Sequence, residues 1–228
     1  MFAVSEHWKE TYPDARVAVL ILKSIENSPE HPALERHKRG LENELCARFT
    51  DENDLKSLQP VQAYTAYYKR FKKTYPLLQQ FKTLVGKKKP FPVVNALVDA
   101  MFMAEMKNLL LTAGHDLEKL LPPVTVDIAA GGESYLKLNG ELQQLKPRDM
   151  TMADQEGIIS SVIYGPDQRT MMTANTRNAL FVVYAPGGVE KEELCGHLKD
   201  IEETVLLFSP SAETELKRIF SASGAEDV

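Results

Sequence analysis

Lys88-Lys89-Pro90-Phe91-Pro92-Val93-Val94-Asn95-Ala96-Leu97-Val98-Asp99 joins a basic turn to the start of a long apolar segment. Beyond it, Val94, Leu97, Val98, Met101, Phe102, Met106, Leu109 and Leu110 recur with helical spacing, which predicts a helix over about Pro92 to Leu111. Ala113-Gly114 is read as its end, because glycine is the usual residue just past a helix. Asn95 and Asp99 are one turn apart and share a face of this helix. Polar groups on an otherwise apolar helix must be paired or must line a site.

Upstream the pattern is one strand followed by helices. Val17-Ala18-Val19-Leu20-Ile21-Leu22 is short, apolar and rich in β-branched residues, so it reads as a buried strand. Ser28 and Pro29 form a helix start, with Ser28 as cap. That helix is expected to carry Leu34, Leu41 and Leu45 to about Phe49. A second helix is predicted from Pro60 through Tyr64, Tyr67, Tyr68 and Phe71, and a third after Pro76. Downstream, Val124–Ile128, Gly157–Ile163 and Ala179–Tyr184 are strand candidates separated by turn residues. A final helix is expected over about Lys191 to Leu207, with a frayed tail from Ser221. Helices before and after a block of sheet indicate an α+β fold, read as one domain over 1–228.

Composition narrows the classes. A chain of 228 residues with 43% hydrophobic and 26% charged residues fits a soluble globular protein. The net charge of −5 argues against a wholly basic nucleic-acid binder but allows a local basic patch. Cys46 and Cys195 are far apart and lack metal spacing, so they are expected to be reduced thiols. Asp99, Glu105 and Lys107 interrupt the longest apolar stretch, so no membrane span is expected. With no signal peptide at Met1-Phe2-Ala3-Val4-Ser5-Glu6, a cytoplasmic protein is expected.

Two basic clusters suit nucleic acid. Tyr67-Tyr68-Lys69-Arg70-Phe71-Lys72-Lys73-Thr74-Tyr75 interleaves aromatics with cations, and Lys87-Lys88-Lys89 follows Gly86. Cations neutralise phosphates and aromatics stack on bases. The competing reading is a solvated helix face with its aromatics turned to the core. Common catalytic motifs are missing: no phosphate loop, no paired histidines on a helix and no Cys/His metal spacing. His7, His31, His37 and His197 lie in polar settings and read as solvated. His115 follows Gly114 at the expected end of the long helix, where it either caps a turn or lines a cleft. Asp116 reads as the cap of a short turn over Leu117–Leu120. Glu133 beside Gly131 and Gly132 is either a surface turn or a site residue.

The ordered set Lys89-Pro90-Phe91-Pro92-Val93-Val94-Asn95-Ala96-Leu97-Val98-Asp99, His115-Asp116-Leu117, Gly131-Gly132-Glu133 and Thr176-Arg177-Asn178 resembles the B3/B4 domain of the phenylalanyl-tRNA synthetase β subunit. In particular it is similar to free-standing versions of that domain. Tyr68-Lys69-Arg70-Phe71 fits the same pattern, and the similarity covers about Val17 to Tyr184. The chain departs from the family at Phe102, where relatives often carry Asn, and at His115, where relatives often carry Tyr.

The resemblance implies an α+β fold with a barrel-like mixed or antiparallel sheet. It implies hydrolysis of mischarged aminoacyl-tRNA in trans, without metal or cofactor; the alternative is a non-catalytic RNA-binding module on the same fold. The implied catalytic set is His115, which orients water or acts as base, with the backbone N–H groups of Gly131 and Gly132 holding the oxyanion. Glu133 would recognise the amino group or a polar side chain of the misattached amino acid, and Asn95 and Asp99 would hold the pocket wall or the terminal ribose. Lys69, Arg70, Lys72, Lys73, Lys87, Lys88 and Lys89 would receive acceptor-stem phosphates. The expected partners are tRNA and an aminoacyl-tRNA synthetase, with no DNA and no membrane.

Overall fold

The computed structural model describes residues 2–27, 31–50 and 52–228. The strand expected at Val17–Leu22 is β2 (Arg16–Lys23), where Val17, Ala18, Val19 and Leu20 are fully buried. Burial on both faces is why it reads as a continuous apolar run. On either side of it lie β10 (Ala179–Ala185) and β11 (Glu213–Ser221), both antiparallel to it. β3 (Thr112–Asp116) pairs with β10 and β12 (Gly224–Asp227) with β11, giving the order β12-β11-β2-β10-β3.

A second five-stranded sheet runs β1 (Phe2–Val4), β4 (Val124–Ile128), β7 (Met150–Asp154), β8 (Gly157–Ser161) and β9 (Gly165–Pro166). Its β1–β4 pair is parallel and its other pairs are antiparallel. β5 (Ser134–Leu136) and β6 (Leu142–Gln144) form a separate hairpin. The α+β class with mixed and antiparallel sheets is as the resemblance implies; among the described residues the sheets stay open and close no barrel.

The helices are α1 (Glu6–Thr11), α2 (Pro32–Arg48), α3 (Gln59–Arg70), α4 (Pro76–Phe81), α5 (Ala96–Asn108) and α6 (Lys191–Phe208). α5 packs on α2, α6 and β3, while α6 packs on β2 and β11. One contiguous hydrophobic cluster joins these layers, from Trp8 to Phe220. No helix among the described residues is long and apolar enough to cross a membrane.

Four expectations need correction. The long helix spans Ala96–Asn108 rather than Pro92 to Leu111. Pro90 and Pro92 hold the chain before it extended. Leu109, in the left-handed region at φ 56, ends it, so Gly114 and His115 lie in β3 instead of at a helix end. The tail from Ser221 is not frayed: it turns at Ala222 and Ser223 and returns from Gly224 as β12. His197 is fully buried in α6 rather than solvated. The α2 cap expected at Ser28 and Pro29 lies outside the described residues; the helix itself begins at Pro32.

Candidate functional site

The three groups singled out in the sequence occupy three settings. Asn95 is the N-cap of α5, its Oδ1 accepting the Val98 N–H at 3.1 Å. Asn27 Nδ2 donates both to Asn95 Oδ1 at 3.3 Å and to the Thr173 carbonyl at 2.7 Å, while Asn27 Oδ1 accepts the Leu97 N–H. Asp99, one turn on, accepts the Val94 N–H at 3.0 Å and the Lys38 ammonium at 2.6 Å. Lys38 also reaches Glu35 at 2.8 Å. Burial opposes the Lys38 charge, but its hydrogen bonds to Asp99 and Glu35 outweigh that and hold its pKa above the usual value. Asn95 and Asp99 therefore lock the start of α5 to β2's outgoing loop and to α2. Breaking such a buried pair costs roughly 3–5 kcal/mol.

His115 sits on β3, opposite Leu180 of β10. Alternation along a strand sends it to the face away from α5. Gly114 faces α5, where an added Cβ would collide with Met172 Cε and stand 3.0 Å from Met101 Sδ. The histidine is fully buried. Its Nδ1 lies 2.6 Å from Thr170 Oγ1, and the Thr170 hydroxyl in turn donates to Asp167. A hydroxyl has one proton to give. With that proton on Asp167, Thr170 Oγ1 accepts from His115, so the imidazole is protonated on Nδ1. Its Nε2 then carries a lone pair, is buried and has no partner among the described residues. Burial, with the nearby Arg169 cation second, pushes the His115 pKa down to about 3, so the ring is neutral at ordinary pH. Arg169 is itself anchored on Asp154 at 2.7 and 2.8 Å and on the Lys119 carbonyl.

Gly131 and Gly132 form an exposed turn with φ of 93° and 105°, values that favour glycine. Glu133 folds back on it. Its Oε1 accepts the Ala130 N–H and its Oε2 the Gly131 N–H, each at 2.7 Å. Burial opposes the Glu133 charge, but these backbone donors outweigh it and hold the carboxyl below its usual pKa. The Gly131 N–H is thus already given to a carboxylate, and Gly132 is the remaining donor of the expected pair.

The segment 170–178 ties the first two groups together. The Asp116 N–H donates to the Thr170 carbonyl, and Thr176 Oγ1 donates to Asp116 Oδ2 at 2.8 Å. The Thr173 N–H donates to Thr176 Oγ1, and the Thr173 carbonyl holds Asn27. Thr176-Arg177-Asn178 is therefore a staple: Asn178 joins Glu118 to the Ser24 N–H, and the Arg177 carbonyl accepts the Ile25 N–H. A cavity of about 630 Å³ opens beside this staple, lined by Glu26, Asn27, His31, Asn175, Arg177 and Phe208 among others. No hydrogen bond or ion pair among the described residues carries the network on to the Gly131–Glu133 turn. Asp116 caps the short turn after β3, accepting the Glu118 N–H as expected.

In the basic segment the aromatics Tyr64, Tyr67, Tyr68, Phe71 and Tyr75 are buried, so they stack in the core rather than on bases. Lys69, Arg70, Lys72 and Lys73 are exposed, as are Lys87, Lys88 and Lys89. Among the described residues no group of His, Cys, Asp and Glu is placed to hold a metal ion. Sequence reasoning missed Thr170, Asp167 and Lys38. For Lys38 a signal exists: it stands four residues from Leu34 and three from Leu41 on the buried stripe of α2, where an ammonium requires a carboxylate.

The family described as the B3/4 domain matches residues 60–192, from the second residue of α3 to the second residue of α6. Over 90 residues the chain is 31% identical to the phenylalanine–tRNA ligase β subunit of Mycoplasma pneumoniae; that stretch is 40% of this chain and 11% of that protein. An N-terminal fragment of the phenylalanyl-tRNA synthetase β subunit from Pyrococcus horikoshii superposes with a TM-score of 0.53 at 14% identity. The superposition covers 100% of this chain and 54% of the fragment, and at that identity it speaks to fold alone. The chain thus spans a minor part of one relative and about half of the other.

Proposed function

Because the chain belongs to the B3/4 domain family, a unit similar to part of the phenylalanyl-tRNA synthetase β subunit, we propose that it hydrolyses the ester of mischarged aminoacyl-tRNA in trans. The observation that carries this reading is the orphaned Nε2 of His115, a buried acceptor held in one tautomer by Thr170 and Asp167. Buried polar atoms without partners are rare and invite a ligand or water.

An aminoacyl ester is already activated, so its hydrolysis needs a positioned water and a stabilised oxyanion more than a protein nucleophile. In the proposed reaction the water oxygen attacks the ester carbonyl while Nε2 accepts a hydrogen bond from that water. A ring with a pKa near 3 is a weak proton acceptor. His115 is therefore assigned to orienting the water, with its proton passing on to the departing ribose oxygen as the carbonyl–oxygen bond breaks. The products are the free amino acid and tRNA. Gly132 is assigned to the oxyanion together with Gly131, whose N–H must first leave Glu133. Glu133 is assigned to recognition of the amino acid, and Asn95 and Asp99 to holding the pocket wall. His115 is fully buried, so the chain around its Nε2 must open as the ester enters. Lys69, Arg70, Lys72, Lys73 and Lys87–Lys89 are assigned to tRNA phosphates, with an aminoacyl-tRNA synthetase as the source of substrate.

The enclosure of His115 and the occupied Gly131 N–H favour a second reading, an RNA-binding module without turnover. Single-turnover deacylation by His115→Ala, Glu133→Ala and Asn95→Ala variants, each checked for folding, separates the two. The hydrolase reading expects His115→Ala to lose about a hundredfold, the lower end of what a positioned catalytic group contributes. Wild-type rates in all three variants would remove these assignments.

A further inference from the structure

We propose that the groove between the end of α3 and the β6–β7 loop seats the phosphodiester backbone of RNA, and that Lys146 and Arg148 are phosphate ligands facing Arg70 and Lys72. The groove measures about 350 Å³ and is lined by Tyr12, Arg70, Phe71, Lys72, Lys146, Pro147 and Arg148. No carboxylate among the described residues lines it, in a chain whose net charge is −5. Lys9, Lys23, Lys107, Lys137 and Lys199 elsewhere on the surface are ion-paired. Arg70, Lys72, Lys146 and Arg148 form no ion pair among the described residues. Unneutralised cations concentrated in one concave strip make a focused positive field, which is what a polyphosphate backbone binds.

The walls are fixed to each other. Lys146 Nζ donates to the Phe71 carbonyl at 2.7 Å, and Tyr12 Oη donates to the Arg148 carbonyl at 2.6 Å. The Arg70 guanidinium lies 5.7 Å from the centre of the Tyr12 ring. The groove also adjoins the Gly131 turn, since a Cβ on Gly131 would stand 3.0 Å from Pro147.

The backbone supplies an independent sign. Non-glycine residues rarely take positive φ, yet Lys72 has φ 56 and Arg148 has φ 71, one on each wall. Lys72 stands where a helix normally places glycine: its N–H donates to the Lys69 carbonyl and the Lys73 N–H to the Tyr68 carbonyl, closing α3. Arg148 is held by its N–H to the Ala129 carbonyl and by Tyr12. Neither side chain makes a hydrogen bond or ion pair among the described residues. The backbone of each is thus held by the fold, while its charged side chain has no hydrogen-bond or ion-pair partner among the described residues, a pattern that points to a role outside the protein.

This inference deepens the proposed function by placing its RNA, and its test reads binding without turnover. The affinity of the full chain for an unacylated tRNA transcript is measured by fluorescence anisotropy across a salt series. Lys72→Gly and Arg148→Gly relieve the backbone while removing the charge. Each is expected to weaken binding severalfold at low salt and to lower the slope of log K against log salt by about one, with a melting temperature equal to or above wild type. Ser24→Gly relieves the same conformation away from the groove and is expected to leave binding unchanged. A double glycine variant that binds with wild-type affinity and slope would overturn the proposal. So would a wild-type chain that does not bind tRNA, or a loss confined to anionic phosphatidylserine vesicles with tRNA binding intact. Tight, groove-dependent binding without ester loss would leave the groove standing and remove the hydrolase reading.

Discussion

Thr170 decides which nitrogen of His115 carries the proton. Its hydroxyl donates to Asp167 and so has only a lone pair left for the ring, which fixes hydrogen on Nδ1 and leaves Nε2 as acceptor. Replacing that hydroxyl by a methyl in Thr170→Val removes the constraint and leaves the buried Nδ1–H unsatisfied, at about 1–3 kcal/mol. The imidazole nitrogen shifts of His115 are expected to show a single Nδ1–H tautomer in the wild type and a shift toward Nε2–H in Thr170→Val, with deacylation falling in parallel. A variant that keeps the wild-type shifts would show that Thr170 only fills space. Asn95 is legible in the sequence as a polar residue on an apolar helix, and His115 as a histidine at the junction beside Gly114 and Asp116. Thr170 is not, because its meaning comes from a contact across 55 positions that no local pattern encodes.

α5 and β3 meet through Glu105. Its carbonyl accepts the Leu109 N–H and its carboxyl accepts the Thr112 N–H at 2.7 Å, so one residue ends the helix and starts the strand. Burial, only partly offset by the Thr112 N–H, raises the carboxyl pKa from 4.5 to about 8. The folded chain therefore keeps a proton at neutral pH that the unfolded chain gives up. A raised pKa contributes stability that is complete below about pH 4.5 and is lost as pH rises to about 8. Glu105→Gln retains the carbonyl oxygen for Thr112 and cannot ionise. Urea titrations at pH 5, 7 and 9 are expected to show the variant gaining on wild type by a few kcal/mol as pH rises, whereas a constant difference would contradict this. β2 and β10 are legible because they are buried on both faces and read as unbroken apolar runs. β3 is not, since Thr112-Ala113-Gly114-His115-Asp116 has no strand pattern and owes its state to pairing with β10. β11 is obscured by Glu213, Glu215, Lys217 and Arg218 and by a register shift between Thr214 and Leu216. His197 was legible after all: it lies on the stripe of Leu194, Leu198, Ile201 and Val205.

Across the whole molecule, the charges are sorted. Lys9, Lys23, Lys107, Lys137 and Lys199 have carboxylate partners, whereas cations that form no ion pair among the described residues face each other across the groove between the end of α3 and the β6–β7 loop. The sequence shows the α3 half of that surface as a basic run. The facing half, Lys146 and Arg148, comes from a separate part of the chain and is visible only once the fold brings the loop against Phe71. The same folding buries the aromatics of the run, so the surface offers charge rather than stacking platforms. The account as a whole rests on turnover of a mischarged ester. The most direct test is a time course of ester loss from a panel of labelled mischarged tRNAs, including seryl-, threonyl-, valyl- and tyrosyl-tRNA mispairs, with matched correct pairs beside them. The account predicts rapid loss for one or a few mispairs with the correct pairs spared. A panel in which no ester is lost faster than without protein would contradict it.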